Sequence, residues 1–421
     1  ITMGGRKRKI EPILSLDEDF EKSDVKEGEM DKIIEEMSNL TFAEVVSPSN
    51  FMFYSILGPR DIKKRIFKVA LIDPDYCDMR MLTPKNEKQC YFRPENETLG
   101  VLRIDDLLKV GFTEKQIDEI EEIGFFLQYR HSKGTLTMIP SKALMSTLCR
   151  RLGIGTITEG RNPLRDIYLA SIMRDAEDFT LVYRKSPQGG HAKAFACFST
   201  KYQHTPQKIV FDFMRLLSNM KTLEGGHLSV RQYRINHFIT SIDFSLNELS
   251  DTIGNMKITP GVRMVLSDVG DASFTLQSIL IVNGGTVLLD DAIVRRHNVV
   301  LSAEEMVADY ETKAYPKLIQ IMETLRNLES IRVKEKGKAV KELLAKIKFR
   351  AAFGNTYAAK YRELYISVIK NEPTSGIDVV LEILKIPGNI QSKFCTSTEE
   401  KVALAVGQVL MMDIERILLK W

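Results

Sequence analysis

The chain has 421 residues, 44% of them apolar and 27% charged, with a formal net charge of +3. That length calls for two or three folding units, and the balance is that of a globular protein rather than a disordered one. No apolar run reaches the roughly 18 residues of a membrane span, and five scattered cysteines without CxxC spacing argue for free thiols rather than disulfides or a zinc site.

The start, Gly4-Gly5-Arg6-Lys7-Arg8-Lys9, leads into an acidic stretch and not an apolar one, so no secretory leader is expected. Residues 11–36 carry eleven Asp and Glu against three Lys. This composition predicts an acidic mobile arm over 1–45, either a solubilising tail or a segment that covers the protein's own basic surface. Ile33, Ile34, Met37 and Leu40 allow a short amphipathic helix within it. A mixed α/β region is expected over 46–138. Residues 65–72 alternate as a strand, ended by Asp73-Pro74-Asp75. Thr113 and Gln116 have the spacing of a capping box, so a helix should run from there through Ile117, Ile120 and Ile123 to Gly124. Ser141 is placed to cap a second helix over 142–152, closed by Gly153. A strand-like run at 135–139 separates these helices, which removes the tight turn of a DNA-reading helix pair.

Residues 139–301 read as an α+β core with β-hairpins. Runs at 180–184 and 194–199 flank Ser186-Pro187-Gln188-Gly189-Gly190-His191, a hairpin-like connection. Cys197, in an apolar run, reads as a packed core thiol. Thr205-Pro206 is placed to open a helix carrying Ile209, Val210, Phe213, Leu216 and Leu217 at helical spacing. Strand-like runs follow at 228–233 and 237–244. Asn283-Gly284 takes the two left-handed positions of a tight turn most easily, so it should fold a hairpin between 280–282 and 287–289. The fold class expected is α+β, an antiparallel β-hairpin sheet backed by helices, with an acidic N-terminal arm. Residues 302–421 form a mostly helical C-terminal region that opens at Ser302, breaks at 371–376 and resumes near Thr398.

The stretch 263–297 resembles the phage/plasmid-like protein family called domain of unknown function 932. Members of that family carry a strand, an Asn-Gly turn usually preceded by Cys-Thr, a second strand and an Arg-x-His element. Asn283, Gly284, Arg295 and His297 stand at the matching places, whereas Ile281 and Val282 replace the Cys and Thr and argue against shared thiol chemistry. The likeness extends loosely over about 139–331, with Arg-Leu-Gly-Ile at 151–154 and a Ser-x-x-Tyr element within 194–202. It implies a gene carried on phages, plasmids or integrated elements, often among DNA-processing genes, and no established activity.

Four groups of residues bear on function. Arg295, Arg296 and His297 form a cationic cluster whose forked guanidinium groups suit phosphate, unless one of them pairs with Asp290 or Asp291. Residues 332–350 hold eight Lys and Arg against two Glu. On a helix, Lys334, Lys338, Lys341 and Lys348 fall in a sector roughly 80° wide, apart from Val340, Leu343, Leu344 and Ile347. Such a helix docks by its apolar side and follows a phosphate backbone with the other, or is simply solvated. Tyr357, Tyr361 and Tyr365, with Lys360 and Arg362 between them, either stack on bases or form a half-buried seam. The six histidines lack metal-ligand spacing, so no metal and no cofactor is expected. Asp268 and Asp271 read as turn formers or, with His297, as a hydrolase site. There is no P-loop or nucleophile-elbow motif. The reading is a non-enzymatic nucleic-acid-binding protein of a phage or mobile element. It would act on single-stranded DNA in recombination, annealing or replication, in the bacterial cytoplasm, as a homo-oligomer and without a membrane. The alternatives are a structural, self-assembling phage protein and an uncharacterised hydrolase.

Overall fold

The computed structural model describes residues 13–24, 27–72, 101–131, 134–154, 163–220, 228–270, 272–296, 301–390 and 396–421. Among them, seven strands between Thr41 and Phe198 make a first sheet and eight strands between Glu21 and Arg295 make a second, so the fold is α+β as the sequence predicts. The first sheet runs in the order Thr41–Val46, Phe179–Lys185, His191–Phe198, Gly134–Pro140, Phe125–His131, Phe51–Ile56 and Val69–Ile72. Its pairs are antiparallel except Gly134–Pro140 with His191–Phe198, which lie parallel. A parallel pair needs a crossover. Helices Lys142–Arg151 and Pro163–Arg174 lie in that connection. The strand Gly134–Pro140 runs through the boundary expected at 138 and 139, so 46–138 shares its sheet with the core that follows.

The second sheet, antiparallel throughout, has the order Glu21–Asp24, Leu228–Asn236, Thr240–Leu246, Met256–Leu266, Phe274–Val282 and Gly285–Leu288. Strict alternation decides its two faces. Ile242, Phe244, Val262, Met264 and Leu276 point into a core shared with the C-terminal helices, while Asp243 and Arg263 point the other way. The sheet is strongly curled. Arg231 and Thr286, separated by three strands in that order, meet at 2.6 Å. The predicted hairpin turn is present, with Asn283 at φ 51° and Gly284 at φ 76°.

The acidic segment is built into the fold over its described residues, which corrects the mobile arm. Glu21–Asp24 pairs on the edge of the second sheet, and Thr41–Val46 pairs on the edge of the first. The helix Glu27–Leu40 between them buries Met30, Ile33, Ile34 and Met37 completely. Each such side chain contributes about 1.5–3 kcal/mol on burial, enough to hold an acidic segment against its own charge.

The predicted helices at Thr113 and Ser141 are present, the first with both reciprocal bonds of its capping box. Cys197 is buried. Three boundaries differ. The helix expected from Thr205-Pro206 starts at Ile209, with Pro206 O receiving the Ile209 N–H in a preliminary turn. The strand expected from His237 starts at Thr240, because His237 is drawn into a buried cluster. The strand expected over 65–72 is split into Ile66–Phe67 and Val69–Ile72, with Arg65 at φ 51°. No helix among the described residues is long and apolar enough to cross a membrane.

Candidate nucleic-acid interface

Two sets of cations differ in what surrounds them. The first lies buried where the two sheets meet. Arg184 Nη2 donates to both carboxylate oxygens of Asp268, at 3.0 and 3.1 Å, and its Nε donates to Thr41 at 2.8 Å. Arg184 Nη1 lies 2.9 Å from His237 Nδ1, and His237 Nε2 lies 2.7 Å from the Asp17 carbonyl. A guanidinium only donates and a carbonyl only accepts, so this imidazole is neutral with its proton on Nε2. Burial, and then the charges of Arg184 and Lys193, hold its pKa well below the usual histidine value. Lys193, fully buried, is held by the Leu16 carbonyl at 2.9 Å, Glu18 at 2.7 Å and Glu119 at 2.8 Å. The expected Asp268 site is therefore occupied as an ion pair and buried completely. Asp271 and His297 lie outside the described residues. No cluster of His, Cys, Asp and Glu fit to hold a metal occurs among the described residues.

The second set is in the C-terminal region. The basic stretch is helical over Lys336–Lys346 and again from Arg350, with Arg332–Val333 drawn into a short strand against Thr374–Ser375. Lys334 precedes that helix and Lys348 follows it, so the four predicted lysines do not share one helical face. Lys338 pairs with Glu335 at 2.8 Å and lies over the Trp421 ring. Lys334 and Lys341 are exposed. Arg362 donates to the carbonyls of Leu344 and Ile347, at 3.1 and 2.6 Å, and so caps the C-terminus of the basic helix.

A cleft of about 640 Å³ opens here, with Lys346, Lys348, Arg350, Asn355 and Arg362 in its lining. Lys346, Lys348 and Arg350 are exposed, and among the described residues none of them forms an ion pair. On another side of the helical run Arg350–Ser367 lies a second cleft of about 470 Å³, lined by Phe353, Tyr357, Lys360, Tyr361, Leu364 and others. Tyr357 is 74% exposed. Tyr361 packs on Phe349 at 5.3 Å and Phe353 at 5.4 Å, and burial pushes its hydroxyl up to about 12. Tyr365 donates to the Glu382 carbonyl at 2.6 Å. The tyrosine stripe thus divides into one presented ring and two that pack.

No protein-family model matches the chain, and no curated protein or solved structure matches it either.

Arg295 and Arg296 belong elsewhere. Ile293–Arg295 is a short strand on Phe274–Val282, and Arg295 pairs with Asp309 at 2.8 Å rather than with Asp290 or Asp291. Asp309 also takes Lys313, at 2.6 Å. Asp291 instead accepts the Ser278 N–H at 3.0 Å. Arg296 is exposed. Neither arginine lines the C-terminal clefts. The tip of the hairpin is tied down by Arg231, which donates to Thr286 and to the Gly284 carbonyl.

Sequence reasoning missed Lys346, Arg350 and Arg362 as members of one cleft, because that grouping depends on where the helix ends. It also missed Arg184 and Lys193. A charged residue inside an apolar alternating strand was the available signal for both.

Proposed function

We propose that this chain binds single-stranded nucleic acid on its C-terminal helices, without catalysis. The phosphates would run along Lys346, Lys348 and Arg350, and an unpaired base would stack on Tyr357. The observation that carries this is a cleft lined by the exposed cations Lys346, Lys348 and Arg350, with an exposed tyrosine on another side of the helical run that Arg350 opens. Unpaired cations release counterions when they meet phosphates, and every base has a face to stack. The resemblance over 263–297 favours a phage or mobile-element setting, with a role in recombination, annealing or replication in the host cytoplasm. Self-association along a strand would make binding cooperative.

Fluorescence anisotropy with a labelled single-stranded oligonucleotide at low salt tests this. The double variant Lys348→Glu, Arg350→Glu is expected to bind roughly tenfold or more weakly, with an unchanged unfolding midpoint. Equal binding by both proteins removes the proposal.

A second reading rests on one observation. Tyr357, Leu364 and Val368 are all exposed and fall within roughly 40° on the helix. Aliphatic side chains do not stack on bases, so this row favours assembly with another protein copy. Concentration-dependent mass in solution that Leu364→Lys abolishes, without oligonucleotide binding by either protein, would favour it.

A further inference from the structure

Gly354 interrupts the helical run Arg350–Ser367 with φ 74° and ψ 172°. That region of backbone space is essentially closed to any residue with a Cβ. A Cβ built at Gly354 meets no atom within 4 Å. Packing therefore does not call for glycine here; only the break in the backbone does.

The break falls between the contributors to both clefts. Arg350 before it and Asn355 after it line the cationic cleft, while Phe353 before it and Tyr357 after it line the aromatic one. On an unbroken helix Phe353 and Tyr357 would be i,i+4 neighbours and would cover each other. Instead Phe353 turns onto Phe349 and Tyr361, at ring separations of 5.8 and 5.4 Å, and Tyr357 stays 74% exposed.

We infer that Gly354 is a positioning residue of the nucleic-acid site, whose break in the helix frees Tyr357 as a stacking platform on another side of the helix from the cationic cleft. This rests on the binding reading above. Alanine at 354 is excluded from the present conformation and is the strongest helix former. It moves into the helical well that both flanking segments already occupy, the helix closes, and Phe353 covers Tyr357. Lys346 and Lys348 lie outside the helical run that holds the break.

The test compares full-length protein and Gly354→Ala for binding to a labelled single strand and to an abasic strand of equal length. A stacked base is worth roughly five- to hundredfold in affinity. The native chain should hold the base-bearing strand more tightly by such a factor. Gly354→Ala should hold both strands alike, at the native affinity for the abasic one, with an unfolding midpoint no lower than native. A general loss of structure would lower abasic binding too, so the ratio isolates the stacking platform. Gly354→Ala that keeps the preference overturns the inference and leaves the binding reading standing. Gly354→Ala that fails to unfold cooperatively also overturns it, because the break would then belong to the fold. A native chain that binds neither strand removes the binding reading and the inference with it.

Discussion

The interface between the two sheets and the C-terminal clefts are both rich in cations, yet they are opposite in kind. Arg184 and Lys193 have no exposure and are held by Asp268, Thr41 and His237 in the first case and by Glu18, Glu119 and the Leu16 carbonyl in the second. Lys346, Lys348 and Arg350 face solvent, and among the described residues none of them forms an ion pair, although the Lys346 charge acts on Glu342. Burying a charge is costly unless it is paired, so the first set can only be structural. An exposed charge loses little by waiting for a partner, so the second set is free to meet an external anion. The lesson is that cation density along a sequence says less about ligand binding than the local supply of carboxylates. The acidic segment makes this concrete. Its Glu18 and Asp19 are spent within the fold, on Lys193 and Lys115.

The contrast is sharpest under substitution. Asp268→Asn keeps the shape and removes the charge that balances Arg184. We expect a loss of about 3–5 kcal/mol in urea unfolding, the usual consequence of stranding a buried charge, with oligonucleotide affinity unchanged in the folded protein. A loss below about 1 kcal/mol would mean that the buried pair is not what it appears from its geometry.

A pH series separates the buried groups further. Burial lowers His191 to about 4 and holds His237 well below 6.5, so the folded state refuses protons that the unfolded chain takes below 6.5. Stability from these two groups is therefore present above 6.5 and is lost as the pH falls. Asp166 works in the opposite sense. Burial raises it to about 6 against Arg165 and Ser55, so its contribution is present below 3.8 and is lost as the pH rises through 6. Between pH 6 and 4 the two effects partly offset each other. Asp166→Asn removes one of them, so its urea midpoint should fall more steeply on acidification than that of the native chain. Parallel curves would contradict the burial of Asp166.

The smallest effect is expected at Arg295. Its pair with Asp309 is half exposed, and such pairs contribute less than about 1 kcal/mol. Arg295→Ala should change the unfolding midpoint little and oligonucleotide affinity less than about twofold, since it lies outside the clefts. A large loss of affinity would return the hairpin base to the site.

Much of the fold was legible because local chemistry decides it. Thr113 and Gln116 satisfy free N–H groups at one helix start, Ser141 does so at another, and Asn283-Gly284 accepts positive φ at a hairpin turn. The acidic arm was misread because its composition outweighed four apolar residues at helical spacing, and these decide its burial. Of the site, Lys348 and Tyr357 were named in advance, whereas the grouping that contains them was not. Whether Lys348 shares a face with Lys341 depends on Ile347 leaving the helix, and that follows from Arg362 capping its last carbonyls from another helix. Long-range contacts of that sort leave no trace in residue spacing. For the same reason the pair weighed for Arg295 was Asp290 or Asp291, whereas Asp309 reaches it from a helix that begins beyond the hairpin.

The most direct measurement is the salt dependence of oligonucleotide binding by the native chain and by Lys346→Ala, Lys348→Ala, Arg350→Ala combined. Each phosphate neutralised on a single strand adds about 0.7 to the magnitude of the log–log slope. If these three cations form the phosphate track, the slope of the triple variant should be shallower by about two. Identical slopes and affinities for the two proteins would show that the strand, if bound at all, lies elsewhere.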